Sequence, residues 1–538
     1  MKRFKGSLYG LAALSLAVGL AACSSEPGDD NNGGGTDGGN GGDNGGGEAA
    51  EGGDFVMVAQ GHISGLDPHQ VNDVPSGQIQ EQIYEGLVKF DEELNIVESL
   101  AEDFEADGNR LWFKLREDVT FHDGEAFNAE AVKANIERII DPDINSQRAF
   151  LFEDISEINV IGDYEIEFLT EEVYAPLIFS FAHGGGFMIS PAVIAEDYEA
   201  MEGGAEPYTV VNEKPMGTGY FKYQSGVAGS GDIVMERNED YWGDNALLDT
   251  VTFKVVPDLS TRVAEIERGD AHLALGVDST AIPQIDAMPD GELLQTEGIS
   301  ASYYGFNTTV EPFDNPDVRR AIAMAIDNES ILNNIMDGYG RAAQGPIPPS
   351  VFGYDDSLET IPYDPEAARE LLADAGVEDL SVEIRTNDSD TRVRMANYMI
   401  AALEDIGVSA TINASDFPTY LEDTANGNHE MYILGWSSAT ADADYALAPL
   451  FHSESSAASG NRSFYSNEEV DSLLEAAVVE ADENTRLQMY SDAQQIIMDE
   501  APMVFTTYTD YLKAVRSEVE GLVITASDGI ELQGVSIQ

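Results

Sequence analysis

Cysteine is almost absent from this sequence: Cys23 is the only one in 538 residues. Disulfides within the chain are excluded by arithmetic, and so are a thiolate zinc site and a cysteine nucleophile in the folded part. Basic residues are scarce too, 27 against 99 acidic ones, for a formal net charge of −72, and no lysine lies between Lys254 and Lys513. A field of that sign repels phosphate backbones, which excludes an unaided nucleic-acid binder. The only sustained apolar run, Leu8 to Ala22, is shorter than the roughly 20 residues a membrane-spanning helix needs. Catalytic signatures are missing as well: there is no Gly-x-Ser-x-Gly elbow, no His-Glu-x-x-His and no phosphate-loop lysine motif. His429-Glu430 meets Ile433 where a second histidine is needed, and Gly217-x-Gly219 meets Lys222 where a dinucleotide loop needs its third glycine. Asp141, Asp143 and Asn145 open like a calcium loop, but Ser146 replaces its glycine and Phe152 its bidentate acid. The seven histidines (His62, His69, His122, His183, His272, His429 and His452) are scattered without ligand-like spacing and read as ordinary surface or loop residues. No cofactor, no metal and no enzymatic activity are expected.

What is present begins with a processing signal. Lys2, Arg3 and Lys5 precede the Leu8 to Ala22 run, the pattern of a secretory signal peptide over residues 1–22. Leu20-Ala21-Ala22-Cys23 resembles the lipobox of bacterial lipoproteins, which implies a diacylglycerol on Cys23 and a membrane anchor there. Ser24 to Gly53 is rich in Gly and Asp and cannot build a core; as a flexible tether it spans roughly 30 Å. The remaining chain, with 43% hydrophobic residues overall, can bury large cores in two or three domains. Its acidic surface reads as adaptation to a salty environment, because salt screens self-repulsion. The melting temperature is therefore expected to rise between dilute buffer and molar salt; an unchanged value would refute the adaptation.

Helix and strand signals alternate. Asp364-Pro365 opens a helix that Gly376 closes, and Met395, Met399, Ala402, Leu403 and Ile406 mark one buried helical face ended by Gly407. Val408 to Ala414 alternates like a strand, Phe417 to Asp423 suits a short helix, and Met431 to Trp436 reads as a buried strand. Before Ser300 strands dominate, among them Leu111 to Leu115, Glu165 to Leu169, Ile233 to Arg237 and Val251 to Val256. Mixed α/β layers are predicted.

Six stretches in order then carry a family resemblance: Leu66-Asp67-Pro68-His69, Tyr84-Glu85-Gly86-Leu87, Trp112 to Val119 with Phe121-His122-Asp123-Gly124, Gly217-Thr218-Gly219-Tyr220 with Tyr241-Trp242, Phe306-Asn307-Thr308, and Pro312 to Asn315 with Val318-Arg319-Arg320-Ala321. Together they resemble the extracellular solute-binding proteins of peptide-type ABC importers, family 5. Gly435-Trp436-Ser437-Ser438-Ala439-Thr440-Ala441-Asp442-Ala443-Asp444-Tyr445, with Pro348-Pro349-Ser350 and Val71-Asn72-Asp73, is most similar to the glutathione-binding branch. The resemblance implies an α/β, two-lobed periplasmic-binding-protein fold with two hinge crossings, near Ala301 to Phe306 and Val504 to Thr507, and an extra domain inserted in lobe I. On that basis lobe I takes residues 54–83, 213–300 and 506–538, the inserted subdomain 84–212 and lobe II 301–505. Trp112, Phe121 and Gly124 read as packing and turn positions of the insertion.

The implied function is capture of a small peptide, glutathione or a γ-glutamyl relative, for an ABC permease and its ATPase subunits, by a monomer on the outer face of the cytoplasmic membrane or in the periplasm. A nickel chelate, haem, an opine or an oligosaccharide are alternatives within the fold, and a secreted hydrolase or signalling receptor outside it. The buried strand ending in Gly435-Trp436 and opening into Ser437, Ser438 and Thr440 offers free backbone groups, three hydroxyls and an aromatic wall for a peptide main chain. Peptide binders of the family hold the ligand's amino group with an aspartate three residues after the tryptophan, and Ala439 stands there. Asp442 or Asp444 is expected to supply that charge instead, with Asn72 and Asp73 facing from lobe I. Arg385 is expected to grip a carboxylate, as the family's dipeptide binders use an arginine near that place, and a guanidinium does so bidentately.

Overall fold

A computed structural model describes residues 52–538 apart from 92, 93, 378, 456, 459 and 481. The expected signal peptide, Cys23 and the tether up to residue 51 lie outside the described residues. No helix among the described residues is long and apolar enough to cross a membrane.

Many of the aspartates begin helices. Asp73 caps Val74–Ile83, Asp364 caps Pro365–Asp374, Asp416 caps Phe417–Ala425, Asp442 caps Ala443–Phe451 and Asp482 caps Glu483–Glu500, each carboxylate accepting a backbone N–H of the first turn. That placement satisfies an otherwise free donor and complements the positive end of the helix dipole. The helix expected around Met395 runs Asp390–Asp405 and buries Met395, Met399 and Leu403.

An 11-stranded sheet runs through the molecule in the order Ser409–Ser415, Ser381–Asn387, Met431–Ser437, Gly291–Phe306, Met503–Arg516, Leu273–Ala274, Asp54–Ala59, Thr250–Val255, Ile233–Arg237 and Phe221–Ser225, with Arg341–Ala342 pairing beside Met503–Arg516. Two of its strands are long. Gly291–Phe306 and Met503–Arg516 pair antiparallel, and their register slips between Glu297 and Ser300 and again between Ser302 and Tyr303. On one side of the slips, Leu293 and Leu294 pack against cores that contain Phe55, Met57, Val58 and Leu273; on the other, Tyr303 and Phe505 belong to a core with Tyr432 and Leu447. The molecule is thus two-lobed, and the strands that join its lobes bend where an extra residue breaks the ladder.

The strand Met431–Ser437 shows why lobe II is layered. Met431 and Ile433 enter one core with Ile384, Met399 and Leu403, while Tyr432 and Leu434 enter the other with Leu447 and Tyr490. A period of two across a strand buried on both faces dictates this split. A separate four-stranded sheet, ordered Ala101–Asp107, Arg110–Leu115, Glu165–Thr170 and Ile155–Gly162, carries the inserted subdomain, with Phe113, Phe121, Phe127, Val132 and Phe168 in its core. Gly124 adopts φ of 90° in the turn beside Phe121.

The short motifs are junctions between these parts. Gly217 and Gly219 pass so close to the backbone of Ile83 and Gln82 that a Cβ would lie 2.1 Å from the Ile83 oxygen and 2.5 Å from the Gln82 oxygen, respectively. Glu85 accepts from Thr218 Oγ1 at 2.8 Å, Tyr241 OH at 2.7 Å and Trp242 Nε1 at 2.9 Å, and burial raises its pKa. The Arg138 guanidinium, from the inserted subdomain, bonds Asp67 Oδ2 at 2.7 Å, Asp197 Oδ2 at 2.9 Å and His69 Nδ1 at 2.9 Å. Since an arginine only donates, His69 Nδ1 must accept, which places the ring proton on Nε2 and lets it donate to the Phe187 carbonyl at 3.1 Å. His69 is therefore a neutral, buried linker, its pKa lowered by burial first and Arg138 second. The surface reading of the histidines is corrected here: His69, His183 and His429 are buried.

Candidate functional site

The lobes meet beside the strand end Gly435-Trp436. Trp436 is half-buried and packs against the core of the inserted subdomain and a core of lobe II at once. Its Nε1 donates to the Tyr445 carbonyl at 2.9 Å, and the two rings lie 5.4 Å apart. Tyr445, on the helix that Asp442 caps, reaches across to lobe I: its ring lies 5.8 Å from Phe150 and 5.3 Å from His183, and its hydroxyl is 3.5 Å from Asn72 Oδ1. Asn72 also accepts from Arg148 Nη1.

The protons around His183 are settled by the same argument as for His69. Gly185 N donates to His183 Nδ1 at 2.9 Å, so the neutral ring carries its proton on Nε2 and donates to the Tyr445 hydroxyl at 3.3 Å. Burial, then Arg148, holds the His183 pKa well below the ordinary range. Arg148 Nη1, 3.2 Å from that Nε2, faces another N–H and gains nothing from it.

Each residue expected from sequence has a defined place. Asp73 is committed to Ser76, accepting from its N and Oγ at 3.0 Å each. Ser437 lies against the Tyr511 hydroxyl. Ser438 and Thr440 are buried with no hydrogen-bond partner for their hydroxyls among the described residues, so their donors remain free for something else. Asp442 does not face open space: Arg486 grips it bidentately at 2.7 Å and 2.9 Å. Asp444 accepts from Tyr174 OH at 3.2 Å, a contact between lobe II and the inserted subdomain. Arg385 is neutralised by Asp423 and Glu383, the latter at 3.3 Å, because its strand position turns it toward the helix Phe417–Ala425 and its acids.

Sequence reasoning missed Arg148, His183, Tyr445 and Arg392. A signal existed for Arg148, since no acid falls between Ile144 and Phe152 in a chain where acids are everywhere. Arg392 had none, being flanked by Asp388 and Asp390.

Burial pushes the Asp444 carboxyl up to about 7, helped by the neighbouring Asp442 charge and by Asp154, while Tyr174 and Arg486 act the other way. A folded pKa above the ordinary 3.8 means the folded protein binds more protons than the unfolded chain. Its stabilisation is complete in acid and is lost as pH rises through about 7. The melting temperature of the parent minus that of Asp444→Asn is therefore expected to fall as pH rises from about 4 to about 7; the comparison cancels the other buried groups, among them Glu81, which burial pushes up to about 8, and the histidines His69 and His183, whose lowered pKa acts in the opposite sense. Parallel curves in parent and variant would refute the assignment to Asp444.

Among the described residues no cluster of His, Asp and Glu is placed to hold a metal ion. The sequence profile of the bacterial extracellular solute-binding proteins, family 5, matches residues 95–458. The glutathione-binding proteins GsiB of Salmonella typhimurium and of Escherichia coli K12 are each 31% identical over 497 residues, covering 90% of this chain and 94% of theirs. Among solved structures, the periplasmic binding protein DppA of Helicobacter pylori in complex with the peptide STSA superposes with a TM-score of 0.83 at 28% identity, covering 91% of this chain and 98% of that one. The oligopeptide-binding protein AppA of Bacillus subtilis, in complex with a nonapeptide, gives 0.82 at 25% identity, covering 91% and 100%.

Proposed function

The chain belongs to family 5 of the bacterial extracellular solute-binding proteins, and from that premise we propose that it captures a small peptide, glutathione or a γ-glutamyl relative, and delivers it to an ABC permease. On this reading Cys23 carries the lipid that holds the receptor at the outer face of the membrane. The work is binding and lobe closure. A ligand that contacts both lobes stabilises the closed arrangement by its differential affinity for it.

The observation that carries the reading is the junction at Trp436. Trp436 and Tyr445 form an aromatic wall that meets Asn72 of lobe I, and the loop between them carries Ser438 and Thr440, whose hydroxyls have no partner among the described residues. Main-chain amides and an apolar side chain are what such a surface accommodates. The names of the GsiB relatives support glutathione, and the bound STSA and nonapeptide of the structural relatives support a peptide. With Asp442 committed to Arg486 and alanine at position 439, Asp444, which accepts from Tyr174 OH and has no ion-pair partner among the described residues, is the acid of this loop left to meet a ligand's amino group.

Calorimetric titration in high salt tests this, with reduced glutathione and a plain dipeptide as ligands. Micromolar or tighter binding of glutathione alone is the expected result. Binding of neither would overturn the peptide assignment.

A further inference from the structure

The partners of the arginines single out two side chains. Among the described residues every arginine but two ends on a carboxylate or a backbone carbonyl: Arg486 ends on Asp442, for instance, Arg319 on the Glu500 carbonyl and Arg462 on the Leu421 carbonyl. Arg148 and Arg392 end on neither. In a chain with 99 acids and 27 bases, a guanidinium with neither a carboxylate nor a backbone carbonyl is the rare outcome, and out of water it is costly unless a counter-charge arrives.

Arg148 is buried, 5% exposed, yet its only accepting side-chain partners are Asn72 and the Tyr445 hydroxyl, and its Nε has none. It stands on the lobe I side of the Trp436 junction. Arg392 stands on the other side, in the first turn of the helix Asp390–Asp405 of lobe II. Its Nη1 bonds Asn387 Oδ1 at 3.0 Å, and its Nη2 lies 3.8 Å from where a Cβ on Gly435 would be. The guanidinium therefore covers the carboxyl ends of the parallel strands Ser381–Asn387 and Met431–Ser437, the edge at which open α/β sheets receive ligands. The same end of this helix meets lobe I on another face, where Arg394 pairs with Asp278 at 3.5 Å.

We infer that Arg148 and Arg392 are the two carboxylate anchors of the cleft, one on each lobe, and that its ligand class is a small peptide bearing two carboxylates. This rests on the reading that the cleft beside Trp436 takes a peptide. Each fork can grip a carboxylate with two parallel N–H bonds. Because the anchors belong to different lobes, a ligand with a carboxylate at each end satisfies both only when the lobes are closed, so its charge drives closure. A pair of local positive charges also explains how a strongly acidic receptor accepts an anion at close range, where salt has screened the rest of the surface.

Calorimetry on the purified protein in high salt tests this with reduced glutathione (two carboxylates), its glycyl ethyl ester (one) and Ala-Ala (one). Glutathione is expected to bind about tenfold or more tighter than either, and Arg148→Gln and Arg392→Gln each to lose about that factor. The ester should respond to only one of the two variants, because the carboxylate read by the other is gone. Arg148→Lys and Arg392→Lys keep the charge and should recover part of the loss, and the ester comparison uses the unaltered protein, so a variant that fails to fold does not decide the matter. Equal binding of glutathione and its ester by the parent, or glutathione affinity unchanged in both glutamine variants, would overturn the inference. Tight binding of Ala-Ala above both would overturn it while leaving the peptide reading in place; binding of no peptide would remove both.

Discussion

Replacing Trp436 by alanine is expected to weaken peptide binding by about tenfold or more while leaving the ligand-free protein folded. The ring sits where two cores meet and holds Tyr445 through its Nε1. Removing it deletes apolar surface that a bound peptide would cover and frees Tyr445 from its contact. Aromatic residues at the centre of an interface carry a disproportionate share of binding energy, and this one has a counterpart from the facing lobe in Phe150 and His183. Isothermal titration of parent and variant with the same peptide measures the loss, and thermal unfolding without ligand separates it from destabilisation. Unchanged affinity would place the ligand elsewhere.

The largest effect on stability is expected from Asp67→Ala. Asp67, Arg138 and Asp197 have side chains 0%, 0% and 1% exposed, so removing Asp67 leaves a guanidinium in the interior with half its counter-charge. Breaking a buried ion pair from one side costs about 3–5 kcal/mol, readable by denaturant unfolding. The loss should be smaller in the double variant Asp67→Ala with Arg138→Met, because no cation is then left unpaired and Asp197 keeps its bonds from Tyr208 N and Val210 N. A loss below about 1 kcal/mol for the single variant would mean that water reaches Arg138.

These two residues show what could be read from sequence and what could not. The mixed layers, the helix ending at Gly407 and the strand ending at Trp436 follow from apolar periodicity, which a local pattern records directly. The motif Leu66-Asp67-Pro68-His69 was legible as a family mark, but its task, to receive Arg138 from 71 residues away, depends on a contact no local pattern contains. The same limit explains the site. Trp436, Ser438 and Thr440 lie on one continuous stretch and could be named together, whereas Arg148, His183 and Tyr445 converge from three separated ones. Asp442 and Arg385 looked available because charge is visible in a sequence and pairing is not: Arg486, 44 residues on, and Asp423 already hold them.

The core of lobe I joins Phe55 and Met57 to Val519, Ile530, Leu532 and Val535. A growing chain makes these residues long after Phe55 and Met57, so the first lobe to be started is completed only once they have emerged. Among the described residues the inserted subdomain draws its fully buried core from Leu87 to Met188, with Tyr445 the one distant buried member, and low sequence separation lets it collapse early. Folding is thus expected to proceed from the insertion outward, with apolar surface of lobe I left uncovered until the closing strands arrive. The dense negative charge has a second use at that stage, because like-charged nascent chains repel one another before they can aggregate.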